Sequence, residues 1–387
     1  MLSIEKKELL FKILKGKDIN KEEALTIYSL SNSELLYFMY LSTNFVFNQF
    51  KGIVSFSKNI FIPLTNLCRN NCSYCGFRRS LNDDSSYILE KEKVIEIVKK
   101  GFKYNCKEAL FTFGEKPEIK YDKIRKLLKK WGYSSIIEYL RDLCKEVIKI
   151  GLLPHSNPGI LEKEELEILK DVNASLGLML ENSSDKLCGK GGPHEFSPGK
   201  VPELRIRTIE LAGKLKIPFT TGILVGIGET EEERIESLLT IKKIHEKYGH
   251  IQEIIIQNFI PQKNTPMESH PPPDFSTMLK TIIIARFIFK DKINLQAPPN
   301  LNPKNLSDLL LSGINDWGGI SPVTHDYINP DMSWPKISEL QRITENYYFK
   351  LKQRLPIYPA FINDKFLPKF LKDKILSVVD EEGYLKE

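Results

Sequence analysis

The sequence predicts an α/β protein, a closed (β/α)8 barrel of the TIM type with lead-in helices before it and a helical extension after it. Three observations predict this. Eight short apolar segments alternate with seven helical ones between residues 53 and 335, the rhythm of parallel strands covered by outer helices. Eight repeats of that unit favour closure over an open sheet, and a barrel uses roughly 250 residues as one domain. Polar and glycine-rich signals follow the ends of the apolar segments, where such a barrel builds its site. The 387-residue chain therefore divides into a helical lead-in (1–52), the barrel (53–335) and a C-terminal helical extension (336–387).

The elements follow in order. From Ser3 to Gly52 the pattern is helical, with Asn20 before "KEEALTIYSL" and Ser31 before "NSELLYFMYL" as start signals, because their side chains accept the first free helix amides. The strand segments are "GIVSFSKNIFIPLT", "EALFTFGE", "LLPHSNPG", "ASLGLML", "IPFTTGILVGIG", "IQEIIIQNFIP", "INLQAP" and "INDWGG". Between them lie "LEKEKVIEIVKKGF", one long helical stretch from Tyr121 to Ile150, "EKEELEILKD", "VPELRIRTIELAGKLK", "ETEEERIESLLTIKKIHEKYG", "FSTMLKTIIIARFIFK" and "NPKNLSDLLLSG". After Pro335 the pattern is helical again.

Composition excludes several classes. The net charge is +6, from 56 basic and 50 acidic residues, but lysines alternate with glutamates as on solvated helix faces, and no basic stripe points to nucleic acid. No apolar run approaches the ~18 residues of a membrane span, and "TIIIARFIFK" carries Arg286 in its middle. The start lacks the apolar core of a signal peptide. Six cysteines in so long a chain do not make a disulfide scaffold; they predict a reducing cytoplasm and metal or redox chemistry.

Half of those cysteines crowd into "LTNLCRNNCSYCGFRR", as Cys68, Cys72 and Cys75. A structural zinc site and a ferredoxin-type cluster both want four ligands, and Cys106, Cys144 and Cys188 stand alone in the sequence. Three ligands leave one iron of a cluster open to bind substrate. The pattern Cys-x3-Cys-x-aromatic-Cys, with Tyr74 before Cys75, resembles the signature of the radical S-adenosylmethionine (SAM) enzymes, as does its place after the first barrel strand. The resemblance implies that the three cysteines hold a 4Fe-4S cluster whose open iron is chelated by SAM. On one-electron reduction, by an external low-potential donor, SAM would yield a 5′-deoxyadenosyl radical.

That resemblance gives roles to further residues. Tyr74 lies beside the cofactor. Gly114 and Glu115 of "TFGE" fall where the family receives the methionyl amine. Arg205, counted back from "GIGET", falls on its SAM-binding arginine and is chosen over Arg207, which lies on another helix face and could as easily be a solvated charge. Ser156 and Glu181 suit the ribose hydroxyls, or else a cap or turn. Gly226 offers backbone to adenine.

"CSYCGFRR", "INLQAPPNLNP" and "INDWGGISPVTHDYINPDMSWP" extend the resemblance to the SAM-dependent subunit of the 7,8-didemethyl-8-hydroxy-5-deazariboflavin synthase family, from about Phe61 to Pro335. This implies a lyase acting on an adduct of hydroxybenzyl and ribityl-diaminouracil, releasing ammonia. A second radical SAM subunit would make the adduct and could associate with this one. Gln257, Asn258, Gln296, Asn300, Asn315 and Asp316 are then candidates to read the substrate's polar edges. Trp317 is a candidate to stack on a ring or pack. His155, His325 and Asp316 are candidates to move protons. "CGKGGPHEFSPGK" reads as a mobile cover or a surface loop. The alternative is another biotin-synthase-like radical SAM enzyme, inserting sulfur or doing C–C bond chemistry on a different small molecule; sulfur insertion would usually need a second cluster, and no second cysteine group is present.

Overall fold

A computed structural model describes residues 2–386. Eight parallel strands close into a barrel: β1 (Ile53–Ile62), β2 (Glu108–Thr112), β3 (Leu153–Asn157), β4 (Ser175–Gly177), β5 (Phe219–Val225), β6 (Ile251–Asn258), β7 (Asn294–Gln296) and β8 (Asp316–Ile320). Each pairs with its neighbour in sequence, and β1 meets both β2 and β8, in registers such as Ile60↔Ala109 and Ser57↔Gly319. All eight expected strand segments are present.

Alternation along each strand decides what reaches the interior. On β6, Ile254 and Ile256 are fully buried in the main apolar core, while Glu253, Ile255 and Gln257 line the central cavity. The β6 burial of both faces is what a strand enclosed by outer helices requires.

The outer helices start and stop where local chemistry directs. Asn20 with Glu23, Ser31 with Glu34, and Thr230 with Glu233 form capping boxes. The long stretch expected from Tyr121 to Ile150 is two helices, Asp122–Lys130 and Ile136–Ile150. Gly132 breaks it at φ 89°, a left-handed conformation that glycine adopts without strain. The chain restarts at Ser135, whose hydroxyl accepts the Glu138 amide at 3.2 Å.

Both ends of the chain are bolted to the barrel. The N-terminal helices Lys21–Tyr28 and Asn32–Gln49 pack on the helix Phe275–Phe289. In the C-terminal segment, expected to be helical, helices Ile337–Asn346 and Lys369–Leu376 flank an additional strand, β9 (Lys350–Arg354). β9 runs parallel to the first half of β1, from Ile53↔Lys350 to Ser57↔Arg354. This fills the gap left because β2 pairs only with the second half of β1, Asn59 to Ile62. Leu355, Ile357, Phe361 and Leu371 then build a second core around Leu153 and Ala174, and the barrel's N-terminal end is closed.

Candidate active site

The cysteine loop leaves β1 and folds over the C-terminal mouth of the barrel. Gly114 at the end of β2 lets it do so: a Cβ there would lie 1.9 Å from the Leu67 carbonyl oxygen, so only glycine permits the approach. The Gly114 amide donates to Thr65 O at 2.8 Å, and the Arg69 amide to Glu115 O at 3.0 Å.

Cys68, Cys72 and Cys75 all line one cavity of about 380 Å³. Cys68 Sγ accepts the amides of Asn70 (3.4 Å) and Glu115 (3.2 Å), and Cys72 Sγ accepts the Ser197 hydroxyl (3.3 Å). Burial pushes the Cys68 thiol up to about 12 and raises that of Cys72. Donors aimed at sulfur suit thiolates, but burial opposes their charge; a bound cationic centre resolves that conflict, since a coordinating thiol is deprotonated outright. The donor set therefore fits an iron–sulfur cluster. Among the described residues, no three His, Cys, Asp or Glu side chains are grouped to hold a lone metal ion.

Charged side chains ring the same mouth. Glu115, 4% exposed, is held by Arg69 Nε at 2.7 Å and by the Ile160 amide at 3.2 Å. Glu181 sits at φ 65° and pairs with Lys200, with Arg205 Nη2 3.8 Å away. Burial works against its charge, but Lys200 and Arg205 outweigh that and hold the carboxyl below the usual range. Arg205 donates to Met179 O (2.6 Å) and Gly199 O (2.7 Å). Arg207 is exposed and pairs with Glu162. The Tyr74 hydroxyl meets His194 Nε2 at 2.9 Å, and burial takes His194 down to about 3, so its ring is neutral.

Among the expected substrate-facing residues, Gln257, Gln296, Asn300 and His155 line the cavity. Their sequence neighbours point the other way, because strand neighbours face opposite sides. Ser156 faces the helix layer and donates to Asn173 Oδ1 at 2.7 Å. Asn258 accepts from Asn302 (2.8 Å), and Asn315 accepts from the buried Arg286 (2.7 Å). Trp317 is fully buried with Nε1 donating to Thr344 Oγ1 at 3.0 Å, so it packs. Asp316 lies inside but at the closed end, bound to Arg354. The Gly226 amide is taken by Glu229 (2.7 Å), away from the cavity. His325 is exposed against Tyr327, ring centroids 4.0 Å apart.

The comparisons with known proteins bear on this cavity. Residues 62–241 match the model of the radical SAM superfamily. The 7,8-didemethyl-8-hydroxy-5-deazariboflavin synthase of Methanopyrus kandleri is 50% identical over 335 residues, covering 86% of this chain and 100% of that protein. The chain belongs to the 7,8-didemethyl-8-hydroxy-5-deazariboflavin synthase family. As a radical SAM enzyme of this deazariboflavin synthase family, it belongs to deazaflavin biosynthesis, and the family implies a 4Fe-4S cluster and SAM. A synthase of the same name from Methanocaldococcus jannaschii is 48% identical over 370 residues, 95% of this chain and 100% of that one. The FeFe-hydrogenase maturase HydG from Carboxydothermus hydrogenoformans has the same fold, with a TM-score of 0.75 at 17% identity over 94% of this chain and 81% of that one. Methylornithine synthase has a TM-score of 0.68 at 22% identity, over 89% and 97%. No helix among the described residues is long and apolar enough to cross a membrane.

Sequence reasoning missed several residues of this cavity and its mouth. The segment 188–200, read as a cover or surface loop, is a packed clamp: Pro193 O and Phe196 O accept the amides of Ser73 and Asn71. It brings His194, Ser197 and Lys200 to the cysteine loop and its partners. Five polar residues stand among its glycines, Lys190, His194, Glu195, Ser197 and Lys200, but nothing in that pattern says what the segment packs on. Arg69, next to Cys68 in sequence, was overlooked as the partner of Glu115.

Proposed function

We propose that this chain is the SAM-dependent lyase subunit of the family. It converts 5-amino-5-(4-hydroxybenzyl)-6-(D-ribitylimino)-5,6-dihydrouracil to 7,8-didemethyl-8-hydroxy-5-deazariboflavin, releasing ammonia, 5′-deoxyadenosine and methionine. The observation that carries the reading is the cavity itself: three thiols at its mouth, a carboxylate–cation cluster beside them, and side-chain amides along its wall.

Cys68, Cys72 and Cys75 would hold the cluster. Reduced and with SAM bound, that cluster would supply 5′-deoxyadenosyl radical chemistry. The Gly114–Glu115 strand end receives the methionyl amine. Arg205 and Lys200 leave positive charge beside Glu181 for the SAM carboxylate, while Glu181 itself is placed for a ribose hydroxyl. Phe61, Phe77 and Phe113 supply apolar lining that keeps water from the reacting atoms. Gln257, Gln296 and Asn300 orient the polar edges of the adduct. The adduct comes from a second radical SAM subunit, a 5-amino-6-(D-ribitylamino)uracil–tyrosine 4-hydroxybenzyl transferase with which this chain associates. An external low-potential donor supplies the electron, and both subunits work in the cytoplasm.

An adduct carrying 15N at its 5-amino group tests the lyase step. The expected result is label in released ammonia and none in the deazaflavin. Label retained in the product, or a sulfur-bearing product, overturns the reading.

A further inference from the structure

Asn59, in β1, is fully buried and lines the cavity, yet among the described residues neither its Oδ1 nor its Nδ2 has a hydrogen-bond partner. Two further unpartnered polar atoms face the same cavity. They are the Asn300 carbonyl oxygen, on a side chain 1% exposed, and the Trp334 indole N–H. The Asn300 Nδ2 is committed to Asp326 at 2.9 Å, so only its acceptor is left over. Buried polar groups in folded proteins almost always have partners, because an unmade bond costs the full desolvation of the group. Three such residues around one cavity therefore describe the missing partner.

The backbone around Asn59 is built to leave its amide clear. A Cβ at Gly319 would lie 2.2 Å from Asn59 Nδ2, although Gly319 has no left-handed backbone that would demand glycine. At Gly318 a Cβ would lie 2.0 Å from Gln296 Nε2. The two glycines of "DWGG" thus make room for one carboxamide on each side.

We infer that Asn59 is a specificity-determining residue that reads a cis-amide edge, an adjacent ring N–H and C=O, on the pyrimidine dione of the substrate. A primary carboxamide offers one acceptor beside one donor, the complement of that edge, and side-chain amides read donor–acceptor pairs on bases in this way. The Asn300 oxygen accepts from a further N–H or hydroxyl, and Trp334 donates to a further oxygen. This inference rests on the proposed substrate class and adds the residue that selects its ring.

The product keeps the dione and fluoresces, so binding can be read without turnover. Cluster-loaded protein is titrated with 7,8-didemethyl-8-hydroxy-5-deazariboflavin and with its N3-methyl derivative, which lacks the ring N–H. Wild type should bind the parent at least about tenfold more tightly, as expected when a site built for a hydrogen bond is left unpaired. Asn59→Ala should bind both equally, and Gly319→Ala, which displaces the Asn59 amide without removing it, should also lose the preference. Thermal melts accompany both variants, and the wild-type preference needs no variant at all. If wild type binds both compounds with equal affinity, Asn59 bonds only to water in the cavity and the inference falls while the substrate class stands. A preference that survives in Asn59→Ala also overturns it. If wild type binds neither compound, the proposed function falls and takes this inference with it.

Discussion

Two buried guanidinium groups mark the two ends of the barrel interior, and their surroundings are opposite. At the closed end, Arg354 spends its fork on carboxylates, meeting Asp316 at 2.6 and 2.9 Å and Glu253 at 3.1 Å, with the Tyr358 ring under it. Glu108 is buried nearby, its carboxylate accepting the Ser57 hydroxyl and, among the described residues, no other side-chain donor. Acid is in excess there, and burial raises both Glu108 and Glu253 above the usual carboxylate range in spite of Arg354. At the open end, Arg205 bonds to two carbonyls, and it shares the single carboxylate of Glu181 with Lys200. Cation is in excess there. The closed end pairs its acids with Arg354 and with hydroxyl donors; the open end has charge and sulfur left over for ligands.

The largest expected difference between the ends is in iron. Changing any of Cys68, Cys72 or Cys75 to Ala should abolish iron loading and SAM cleavage, whereas Cys188→Ala should keep both, by iron assay and deoxyadenosine chromatography. Full iron content in Cys72→Ala would remove the open end from the chemistry.

Breaking the closed end should cost stability instead. Asp316, expected from sequence to contact substrate or move protons, is now placed as the Arg354 partner. Asp316→Ala should destabilise the fold by about 3–5 kcal/mol, the range for a buried pair that loses one member. Urea unfolding measures it, and a loss under about 1 kcal/mol would mean the pair is not what holds that end.

A subtler contrast lies between Arg205 and Arg207. Arg205→Lys keeps charge but loses the planar fork and should weaken SAM binding by about 1.5–3 kcal/mol. The exposed Arg207→Lys should leave the isotherm unchanged. The reverse order would shift the helix register of the SAM site.

The smallest effect is in pH. Burial lowers His155 and His250 to about 3 and His245 to about 4. These rings stay neutral in the fold but protonate near 6.5 when unfolded, so their contribution is lost as pH falls below about 6.5. Glu253 acts with opposite sign: its raised carboxyl favours the fold below about pH 4.5 and loses that contribution as pH rises from there. Between about 4.5 and 6.5 the two oppose each other. Glu253→Gln should therefore make urea midpoints climb more steeply with pH across that window than in wild type. A shallower climb would place the proton elsewhere in the closed-end network.

The sequence made the strands, the cysteine loop and the charged mouth legible because each has a local signature. Cys68 stood out by its spacing, and Glu115 and Arg205 by the resemblance of "TFGE" and "GIGET" to the radical SAM pattern at the matching strand ends. Pairs of adjacent polar residues were harder to choose between: His155–Ser156 and Gln257–Asn258 each put one member inside and one outside, and alternation from a known inward residue would have decided them. Phe61 lines the cavity, so Asn59, two residues before it on β1, was readable by the same rule. Arg354 and His194 were not readable. Their partners lie 38 and 120 residues away in sequence, and nothing local foretells a strand slipping beneath β2 or a glycine-rich segment clamping the cluster loop.

One measurement addresses the whole account. Reconstituted protein is incubated anaerobically with SAM, reductant and the hydroxybenzyl–ribityluracil adduct, and deazaflavin fluorescence is followed beside deoxyadenosine in the same tube. Wild type should give deazaflavin, Cys72→Ala none, and Asn59→Ala a reduced output. Brisk SAM cleavage by wild type with no deazaflavin from authentic adduct would contradict it.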